Sequence, residues 1–329
     1  MPARFLEKAV FSEKAIRDFD SLALENFAFQ YEKNPVYQAF CKALNRTPAH
    51  VRQLTDIPFI PISFFKNHKV TSFSGKAAHV FTSSGTIGSV PSRHYVFKMQ
   101  LYERSFLNAF RMFYGGPKEY CVLALLPGYL ERSGSSLVYM ARRLMEESHH
   151  KLGGFFLNDL SGLKKNLQIL EEKEDKVLLL GVSFALLDMA EQYPGALKNT
   201  IVMETGGMKG RRRELVREEL HDILRNAFKV PAIHSEYGMT ELFSQAYSKG
   251  EGLFECPPWM KVLIRDPNDP LSFSANPGSG GINMIDLANI YSCSFIATQD
   301  LGRLHAGGQF EVLGRFDHSD TRGCNLMVE

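Results

Sequence analysis

The sequence predicts an α/β fold in which parallel strands are flanked by helices. Apolar runs as short as strands alternate with segments in which apolar residues recur at helical spacing. The apolar runs cover residues 121–126, 176–182 and 199–204. The helical patterns that follow them cover residues 135–148, 184–192 and 213–228. Because strands that are apolar throughout are buried on both faces, this alternation indicates a parallel sheet with helices on both sides.

The chain before this sheet is predicted to be mainly helical. Apolar residues recur at helical spacing over residues 12–44, and Asn34-Pro35 interrupts the pattern. Residues 55–70 differ, because two prolines exclude a helix there while aromatic and branched residues favour an extended, buried path. A further helical pattern over residues 98–113 precedes the first strand of the sheet.

Helices become rare after Gly252. Residues 282–289, 291–298 and 309–313 have the composition of strands, which predicts a small antiparallel unit. We therefore expect three regions in the chain. They are a helical region over residues 1–75 that packs on the core, an α/β core over residues 76–250, and an antiparallel β unit over residues 251–329.

The composition excludes several classes of protein. With 329 residues, of which 44% are hydrophobic and 22% charged, the chain is typical of a globular protein with a large core. A net charge of +2 is too balanced for a nucleic-acid-binding surface. No apolar run approaches the roughly 20 residues that span a bilayer, so no membrane span is expected. The five cysteines show no C-x-x-C spacing, which favours a reducing, cytoplasmic setting without disulfides or a zinc site.

Three loops are rich in residues that bind phosphates. In open α/β sheets, ligands lie beyond the carboxyl ends of the strands, where we expect these loops. The loop over residues 82–89, TSSGTIGS, follows a short strand, and its glycines allow backbone N–H groups to approach an anion. It lacks the Gly-Lys-Ser/Thr of a P-loop, and a flexible surface loop is the alternative. The loop over residues 205–210, TGGMKG, also allows close approach, with a plain βα turn as its alternative.

The third loop, HSEYGMTE over residues 234–241, combines an aromatic ring, a hydroxyl group and a carboxylate. The ring of Tyr237 can cover a purine, and the hydroxyl of Thr240 can hold a phosphate oxygen. A carboxylate beside a phosphate requires a cation between them, so Glu241 indicates Mg²⁺. The alternative is that Glu241 is a solvated acid in the first turn of a helix.

Five motifs, taken together in chain order, resemble the signature series of the adenylate-forming enzymes, which comprise the acyl- and aryl-CoA ligases and their relatives. The motifs are TSSGTIGS, TGGMKG, EYGMTE, TQDLGR and GRFD with a following RG, and they lie within residues 80–323. Within this superfamily the chain is most similar to the acyl-protein synthetases of the LuxE type. That likeness depends on the segment IPFIPISFFKNHKV before the first loop and on Cys324 near the carboxyl terminus.

The resemblance implies a fold like the amino-terminal domain of these enzymes, with parallel sheets, flanking helices and a small carboxy-terminal antiparallel unit. The mobile carboxy-terminal domain of the CoA ligases, with its adenylation lysine, is expected to be absent because the sequence ends at Glu329. The chain departs from the family in two places. Pro91-Ser92-Arg93 stands where the first loop usually ends in lysine, and GRFDHSDTRG is one residue shorter than the usual spacing.

The resemblance also implies ATP-dependent activation of a fatty or other carboxylic acid, with Mg²⁺. The residues implied for the pyrophosphate end of ATP are Thr82, Ser83, Ser84, Gly85 and Thr86. Those implied for the adenine are Gly206, Gly207 and Tyr237. Asp300 would accept hydrogen bonds from the ribose, Arg315 would contact ribose or phosphate, and Thr240 would hold the α-phosphate. Glu241 would bind Mg²⁺.

Cys324 is implied to take the acyl group from the acyl adenylate and to pass it to a partner such as an acyl reductase. The resemblance implies four catalytic residues, which are Cys324, Thr240, Glu241 and Arg315. A structural role for Cys324 is the alternative. Two other functions stay open, a truncated CoA ligase that passes the acyl group to CoA or to a carrier protein, and an inactive nucleotide-binding subunit of a reductase complex.

Overall fold

The protein is described by a computed structural model over residues 3–83, 90–127, 134–206, 215–274 and 278–316. The α-helices in these ranges are α1 (Ala3–Ala9), α2 (Glu13–Arg17), α3 (Phe19–Lys33), α4 (Pro35–Ala43), α5 (Phe64–Asn67), α6 (Met99–Tyr114), α7 (Ser136–Ser148), α8 (Leu160–Glu172), α9 (Ser183–Gln192) and α10 (Arg217–Phe228). The strands are β1 (Ile60–Pro61), β2 (His79–Thr82), β3 (Arg93–Val96), β4 (Cys121–Leu125), β5 (Gly154–Phe155), β6 (Val177–Val182), β7 (Thr200–Thr205), β8 (His234–Tyr237), β9 (Ala246–Ser248), β10 (Met260–Arg265), β11 (Gly278–Asp286), β12 (Phe295–Leu304) and β13 (Phe310–Arg315). No helix in the described ranges has both the length and the apolar character that crossing a membrane requires.

Six strands form the larger sheet, in the order β5-β4-β6-β7-β8-β9. The strands from β5 to β8 are parallel, and β9 pairs antiparallel with β8. Every residue of β4 and β6 is buried, as expected of strands that are apolar throughout. Helices α7, α9 and α10 follow β4, β6 and β7, so the predicted α/β arrangement is confirmed.

The smaller sheet contains β10, β11, β12 and β13 in antiparallel pairs, and β1 joins it in parallel with β12. Ile60 of β1 lies opposite Ile296 of β12. The antiparallel arrangement expected after Gly252 is therefore present, and a short strand from the amino-terminal part of the chain completes it. The division of the chain at residues 75 and 250 stays a prediction.

Buried amide side chains attach the amino-terminal helices to the turn between β11 and β12. Asn26 and Gln30 lie on α3 and are fully buried. Asn26 donates a hydrogen bond to the carbonyl oxygen of Leu287 at 3.3 Å, and Gln30 donates one to that of Asn289 at 3.0 Å. These side chains satisfy turn carbonyls that would otherwise be buried without a partner.

Asn34 both separates α3 from α4 and bonds to the same turn. Its side-chain oxygen accepts a hydrogen bond from the N–H of Tyr37, and its Nδ2 donates one to the carbonyl of Ser292 at 3.1 Å. Pro35 follows as the first residue of α4, a position where the missing N–H loses no helical hydrogen bond. The predicted break at Asn34-Pro35 is confirmed.

The predicted boundaries of three elements are wrong. The strand predicted over residues 282–289 is instead β11 (Gly278–Asp286). The third loop, predicted over residues 234–241, begins instead with β8 (His234–Tyr237), so Tyr237 lies in a strand and not in a loop. The strand predicted over residues 291–298 is instead β12 (Phe295–Leu304), which places the TQDLGR motif inside the strand. In each case the strand covers the residues whose backbone groups pair with neighbouring strands, and the local composition gives no information about those partners.

The prediction of an extended path over residues 55–70 is wrong for part of this segment. Pro58 and Pro61 precede a short helix, α5 (Phe64–Asn67). The prolines exclude a helix only as far as Pro61, because each residue after it keeps the N–H group that a helix requires. The N–H of Phe65, for example, donates to the carbonyl of Ile62 at 3.1 Å.

Candidate active site

Tyr237, Asp300 and Arg315 join the two sheets. Tyr237 ends β8 of the larger sheet, while Asp300 and Arg315 lie opposite each other on β12 and β13 of the smaller sheet. The Tyr237 hydroxyl donates a hydrogen bond of 2.7 Å to Oδ2 of Asp300, and Oδ1 accepts one of 3.2 Å from Nε of Arg315. Two motifs that are 63 residues apart in the chain are thereby brought into contact.

The surroundings of this group keep Tyr237 a hydrogen-bond donor. Burial raises the pKa of Tyr237 well above its ordinary value, and the neighbouring Asp300 carboxylate raises it further. The rings of Phe254 and Phe310 pack edge-on to the tyrosine, with centroids 5.8 and 5.5 Å away.

Arg315, unlike the buried Tyr237, lies at the surface, and its side chain is 78% exposed. Its ion pair with Asp300 therefore adds little to stability and leaves the guanidinium open to a ligand.

Glu241 is buried, with 4% of its surface exposed, and it lies in a turn after β8. The alternative that it is a solvated helix acid is therefore wrong. Burial raises its pKa, whereas the Ser92 hydroxyl and the charges of Arg315 and Lys66 lower it. Lys66 belongs to α5, so the segment IPFIPISFFKNHKV reaches the site through its first lysine.

The backbone of Thr240 and Glu241 is held by two buried side chains, His94 and Asn289. Asn289 donates a hydrogen bond from Nδ2 to the Glu241 carbonyl oxygen at 2.8 Å. His94 places Nδ1 2.8 Å from the Thr240 carbonyl oxygen and Nε2 3.1 Å from Oδ1 of Asn289. Burial lowers the pKa of His94 to about 4, so the neutral ring carries one N–H and can donate to only one of these two oxygens at a time.

The first predicted loop begins beside this turn. Thr82 ends β2, which pairs with β3 in an antiparallel hairpin, so the expectation that this loop follows a strand of the parallel sheet is wrong. The Ser83 hydroxyl accepts a hydrogen bond from the N–H of Ser92 at 2.9 Å, and the N–H of Ser83 donates to the Ser92 carbonyl at 3.1 Å. Because the Ser92 hydroxyl also acts on Glu241, the start of the loop lies next to the buried carboxylate.

Several predicted site residues lie outside the described residues. They are Ser84, Gly85, Thr86, Gly207 and Cys324. Gly206 is described and directly follows β7, with a φ of 71° that glycine adopts without strain. Its carbonyl oxygen accepts a hydrogen bond of 2.5 Å from the Ser183 hydroxyl at the start of α9.

Sequence reasoning missed two buried acids on the strands that lead to the second and third loops. Glu236 of β8 accepts a hydrogen bond from the Thr205 hydroxyl of β7, and burial raises its pKa to about 7. Glu204 of β7 lies 3.7 Å from Nε2 of His221 and 3.5 Å from Nε of Arg217. Burial opposes the ionisation of Glu204, but these two neighbours outweigh it and lower its pKa. The sequence signal that could have revealed them is an acidic residue within or beside a run of apolar strand residues. A charge buried there needs a partner or a shifted pKa.

A cavity of about 350 Å³ lies at the carboxyl end of β4. The residues around it include Leu125, Leu157, Leu160, Phe184 and Asp188. They lie at β4, at the start of α8 and on α9, which follows β6, and strand β7 lies between β6 and Tyr237 on β8. We therefore do not assign this cavity to the group around Asp300.

Comparison with known proteins agrees with the motif series. Residues 6–121 match the family described as "Acyl-protein synthetase, LuxE". The long-chain-fatty-acid–luciferin-component ligase of Aliivibrio fischeri is 22% identical over 343 residues, which cover 96% of this chain and 88% of that protein. The resemblance to the LuxE-type acyl-protein synthetases is confirmed.

Solved structures of ligases share the fold of this LuxE-like chain. A 2-hydroxyisobutyryl-CoA ligase in complex with 2-HIB-AMP is 12% identical with a TM-score of 0.68, over 92% of this chain and 68% of that chain. ATP-bound MatB from Rhodopseudomonas palustris is 15% identical with a TM-score of 0.55, over 86% of this chain and 58% of that chain. The chain spans 47% of the length of an ATP-bound RpMatB-BxBclM chimera, with a TM-score of 0.54. At such identities the likeness shows the fold alone, and it confirms the predicted adenylate-forming fold.

Proposed function

We propose that the chain activates a carboxylic acid with ATP and transfers the acyl group to a thiol. The observation that carries the proposal is the hydrogen-bonded group of Tyr237, Asp300 and Arg315, whose arginine also acts on the buried Glu241. This site combines an acceptor for ribose hydroxyls, a cation for phosphates and a carboxylate for a metal ion. The LuxE family match and the fold shared with ligases support the same enzyme class.

In the proposed complex the nucleotide lies across the ends of β7 and β8. Gly206 and Gly207 follow β7 and would line the adenine, with Tyr237 at its border. The carboxylate of Asp300 has about four lone-pair sites, and the bonds from Tyr237 and Arg315 occupy two of them. The remaining sites would accept hydrogen bonds from the ribose.

The loop after β2 would hold the pyrophosphate end of ATP through backbone N–H groups and hydroxyls. Its proposed residues are Thr82, Ser83, Ser84, Gly85 and Thr86. The hydrogen bonds between Ser83 and Ser92 support this role, because they place the start of the loop beside Glu241.

Glu241 fits a Mg²⁺ ion that is bound mainly by the phosphates of ATP. Within the described part of the chain, no group of three or more His, Cys, Asp or Glu side chains could hold a metal ion by itself. Magnesium needs only one or two carboxylates when phosphates supply further ligands. The bound ion would neutralise phosphate charge, and its proximity would favour the ionised form of Glu241, whose pKa burial raises.

The first step brings two anions together, so the site has to offset negative charge. A carboxylate oxygen of the acid forms a bond to the α-phosphorus, while the bond from that phosphorus to the bridging oxygen breaks and pyrophosphate leaves. Arg315 and Lys66 supply positive charge close to Glu241. The Thr240 hydroxyl would donate to the α-phosphate, where charge develops during the reaction.

In the second step a thiolate attacks the acyl carbon, and AMP leaves as the thioester forms. The cysteines in the described part of the chain are Cys41, Cys121, Cys256 and Cys293. Burial raises the pKa of each of these thiols, which makes them poor nucleophiles. We assign the thioester to Cys324. An acyl reductase or an acyl carrier would be the next acceptor, in the cytoplasm.

The test is an acid-dependent exchange of pyrophosphate into ATP, measured over a series of acyl chain lengths. We expect exchange with fatty acids, since the Aliivibrio fischeri relative is named as a ligase of long-chain fatty acids. We also expect an acyl label on the protein that hydroxylamine removes. Cys324→Ser should keep the exchange and lose the label, whereas the matched control Cys256→Ser should keep both.

Other outcomes of the same assay identify the alternatives. Exchange without a protein label, followed by formation of acyl-CoA, would identify an enzyme that acts as a CoA ligase. ATP binding with no acid-dependent exchange would identify a nucleotide-binding subunit. A protein that binds no ATP would refute the proposed function altogether.

A further inference from the structure

Arg265 is a buried arginine with no role in the reaction described above. It ends β10 and is 8% exposed. Its Nη1 donates hydrogen bonds to the Ile282 carbonyl oxygen at 2.8 Å and to Oδ1 of Asn283 at 2.9 Å. Its Nη2 donates one to the Thr298 carbonyl oxygen at 2.6 Å. All three acceptors are neutral, so burying this cation is costly unless an anion lies nearby.

The nearby anion is Asp300. Burial lowers the pKa of Arg265, whereas Asp300 and Tyr237 raise it. Thr298 connects the Arg265 side chain with the backbone of Asp300, because its carbonyl oxygen accepts from Arg265 and its hydroxyl accepts a hydrogen bond from the backbone N–H of Asp300 at 3.1 Å. Asp300 is thus influenced by two arginines, the exposed Arg315 and the buried Arg265.

The backbone around Arg265 is irregular in a way that admits the guanidinium. The pairing of β11 with β12 shifts register between Gly281 and Asn283. The Ile282 carbonyl oxygen, inside this shift, accepts hydrogen bonds from both Arg265 and the Thr298 hydroxyl. A Cβ atom at Gly281 would lie 2.4 Å from Cζ of Arg265, so a side chain at that position would displace the guanidinium.

Phe316 covers one face of the same guanidinium, with the ring centroid 5.2 Å from Cζ of Arg265. Phe316 directly follows Arg315, and its N–H donates to the carbonyl of Gln299, the residue before Asp300, at 2.9 Å. A single buried guanidinium therefore packs against the backbone that carries Asp300 and against the residue next to Arg315.

We propose that Arg265 is a positioning residue for nucleotide binding, which fixes Asp300 and Arg315 in the orientation that the ribose requires. The inference rests on the proposed function, in which Asp300 accepts hydrogen bonds from the ribose. Arg265 does not touch the nucleotide and acts through Thr298 and Phe316. This role depends on the fixed, planar arrangement of donors in the guanidinium and on the flat face that it presents to Phe316. Lysine has neither, so it should replace Arg265 only in part.

The test measures the affinities of the full chain for ATP and for 2′,3′-dideoxy-ATP by calorimetry. Wild-type protein should bind ATP about 10-fold more tightly than the dideoxy analogue, because Asp300 accepts from the ribose hydroxyls. Arg265→Met should weaken ATP binding by about 10-fold and abolish most of the discrimination between the two nucleotides. Arg265→Lys should be intermediate. Arg225→Met is the control, since Arg225 lies exposed on α10 outside the five motifs, and it should behave as wild type.

The inference would be overturned by Arg265 variants that melt at a lower temperature yet keep wild-type ATP affinity and ribose discrimination. If Arg265→Met does not fold, Arg265→Lys and Phe316→Leu provide the same comparison. Pyrophosphate exchange adds a second readout, because the variants should raise the KM for ATP and leave the KM for the acid unchanged. Wild-type protein that binds no ATP would instead refute the proposed function, and wild-type binding without ribose discrimination would refute the role of Asp300.

Discussion

Replacing Glu236 with glutamine should remove a pH-dependent loss of stability. Glu236 is buried in β8, and its carboxylate accepts a hydrogen bond from the Thr205 hydroxyl. The other titratable groups that interact with it are Glu204, Tyr102, Tyr114 and Tyr247. None of these groups offsets a negative charge. Burial, reinforced by Glu204 and opposed by the Thr205 hydrogen bond, therefore raises the pKa of Glu236 to about 7.

The magnitude follows from proton linkage. Between pH 4.5, the ordinary pKa, and pH 7, the folded protein holds a proton that the unfolded chain has released. Stability therefore falls as the pH rises, by about 1.4 kcal/mol for each pH unit in this window and by about 3 kcal/mol in total. Below the window the carboxyl group is protonated in both states and there is no penalty. Glutamine keeps an acceptor oxygen for Thr205 and does not titrate.

Thermal unfolding at about pH 5 and about pH 8 measures this effect, since these values lie inside and above the titration window. For a chain of 329 residues, the change between the two pH values corresponds to roughly 4 °C in melting temperature. Between the lower and the higher pH, the melting temperature of Glu236→Gln should rise by this amount relative to that of the wild-type protein. Glu172→Gln, an exposed glutamate at the end of α8, is the control and should gain nothing. An equal difference between Glu236→Gln and wild type at both pH values would refute the reasoning.

Three further predictions concern the proposed site. Asp300→Asn should weaken ATP binding by about 10-fold in a calorimetric titration, because the amide replaces one acceptor with a donor, and unchanged affinity would contradict the ribose contact. Glu241→Gln should raise the Mg²⁺ concentration for half-maximal pyrophosphate exchange by about 10-fold, and a wild-type Mg²⁺ dependence would exclude Glu241 as a ligand. Asn289→Ala should lower the free energy of unfolding in denaturant by about 2 kcal/mol, because it removes the amide that donates to the carbonyl oxygens of Glu241 and Cys293. A loss below about 0.5 kcal/mol would show that these carbonyls find other donors.

Much of the fold could be predicted because its signals lie within single elements. The apolar runs of β4 and β6 reflect burial on both faces, and Asn34-Pro35 has its own capping and helix-breaking chemistry. The starts of β8 and β12 could not be predicted, because they depend on which backbone groups of neighbouring strands are available. The pairing of β1 with β12 was missed for the same reason.

The candidate site, like the fold, could be predicted only in part from the sequence. The sequence by itself determined the order of the elements, the kinds of side chain near the proposed nucleotide and the family resemblance. Only the tertiary structure decided that Tyr237 contacts Asp300, that Glu241 is buried and that Arg265 supports the same pair. These contacts join residues on different strands or different sheets, so they depend on strand register and on how the sheets pack. Periodicity and local propensity act over a few residues and carry no information about either.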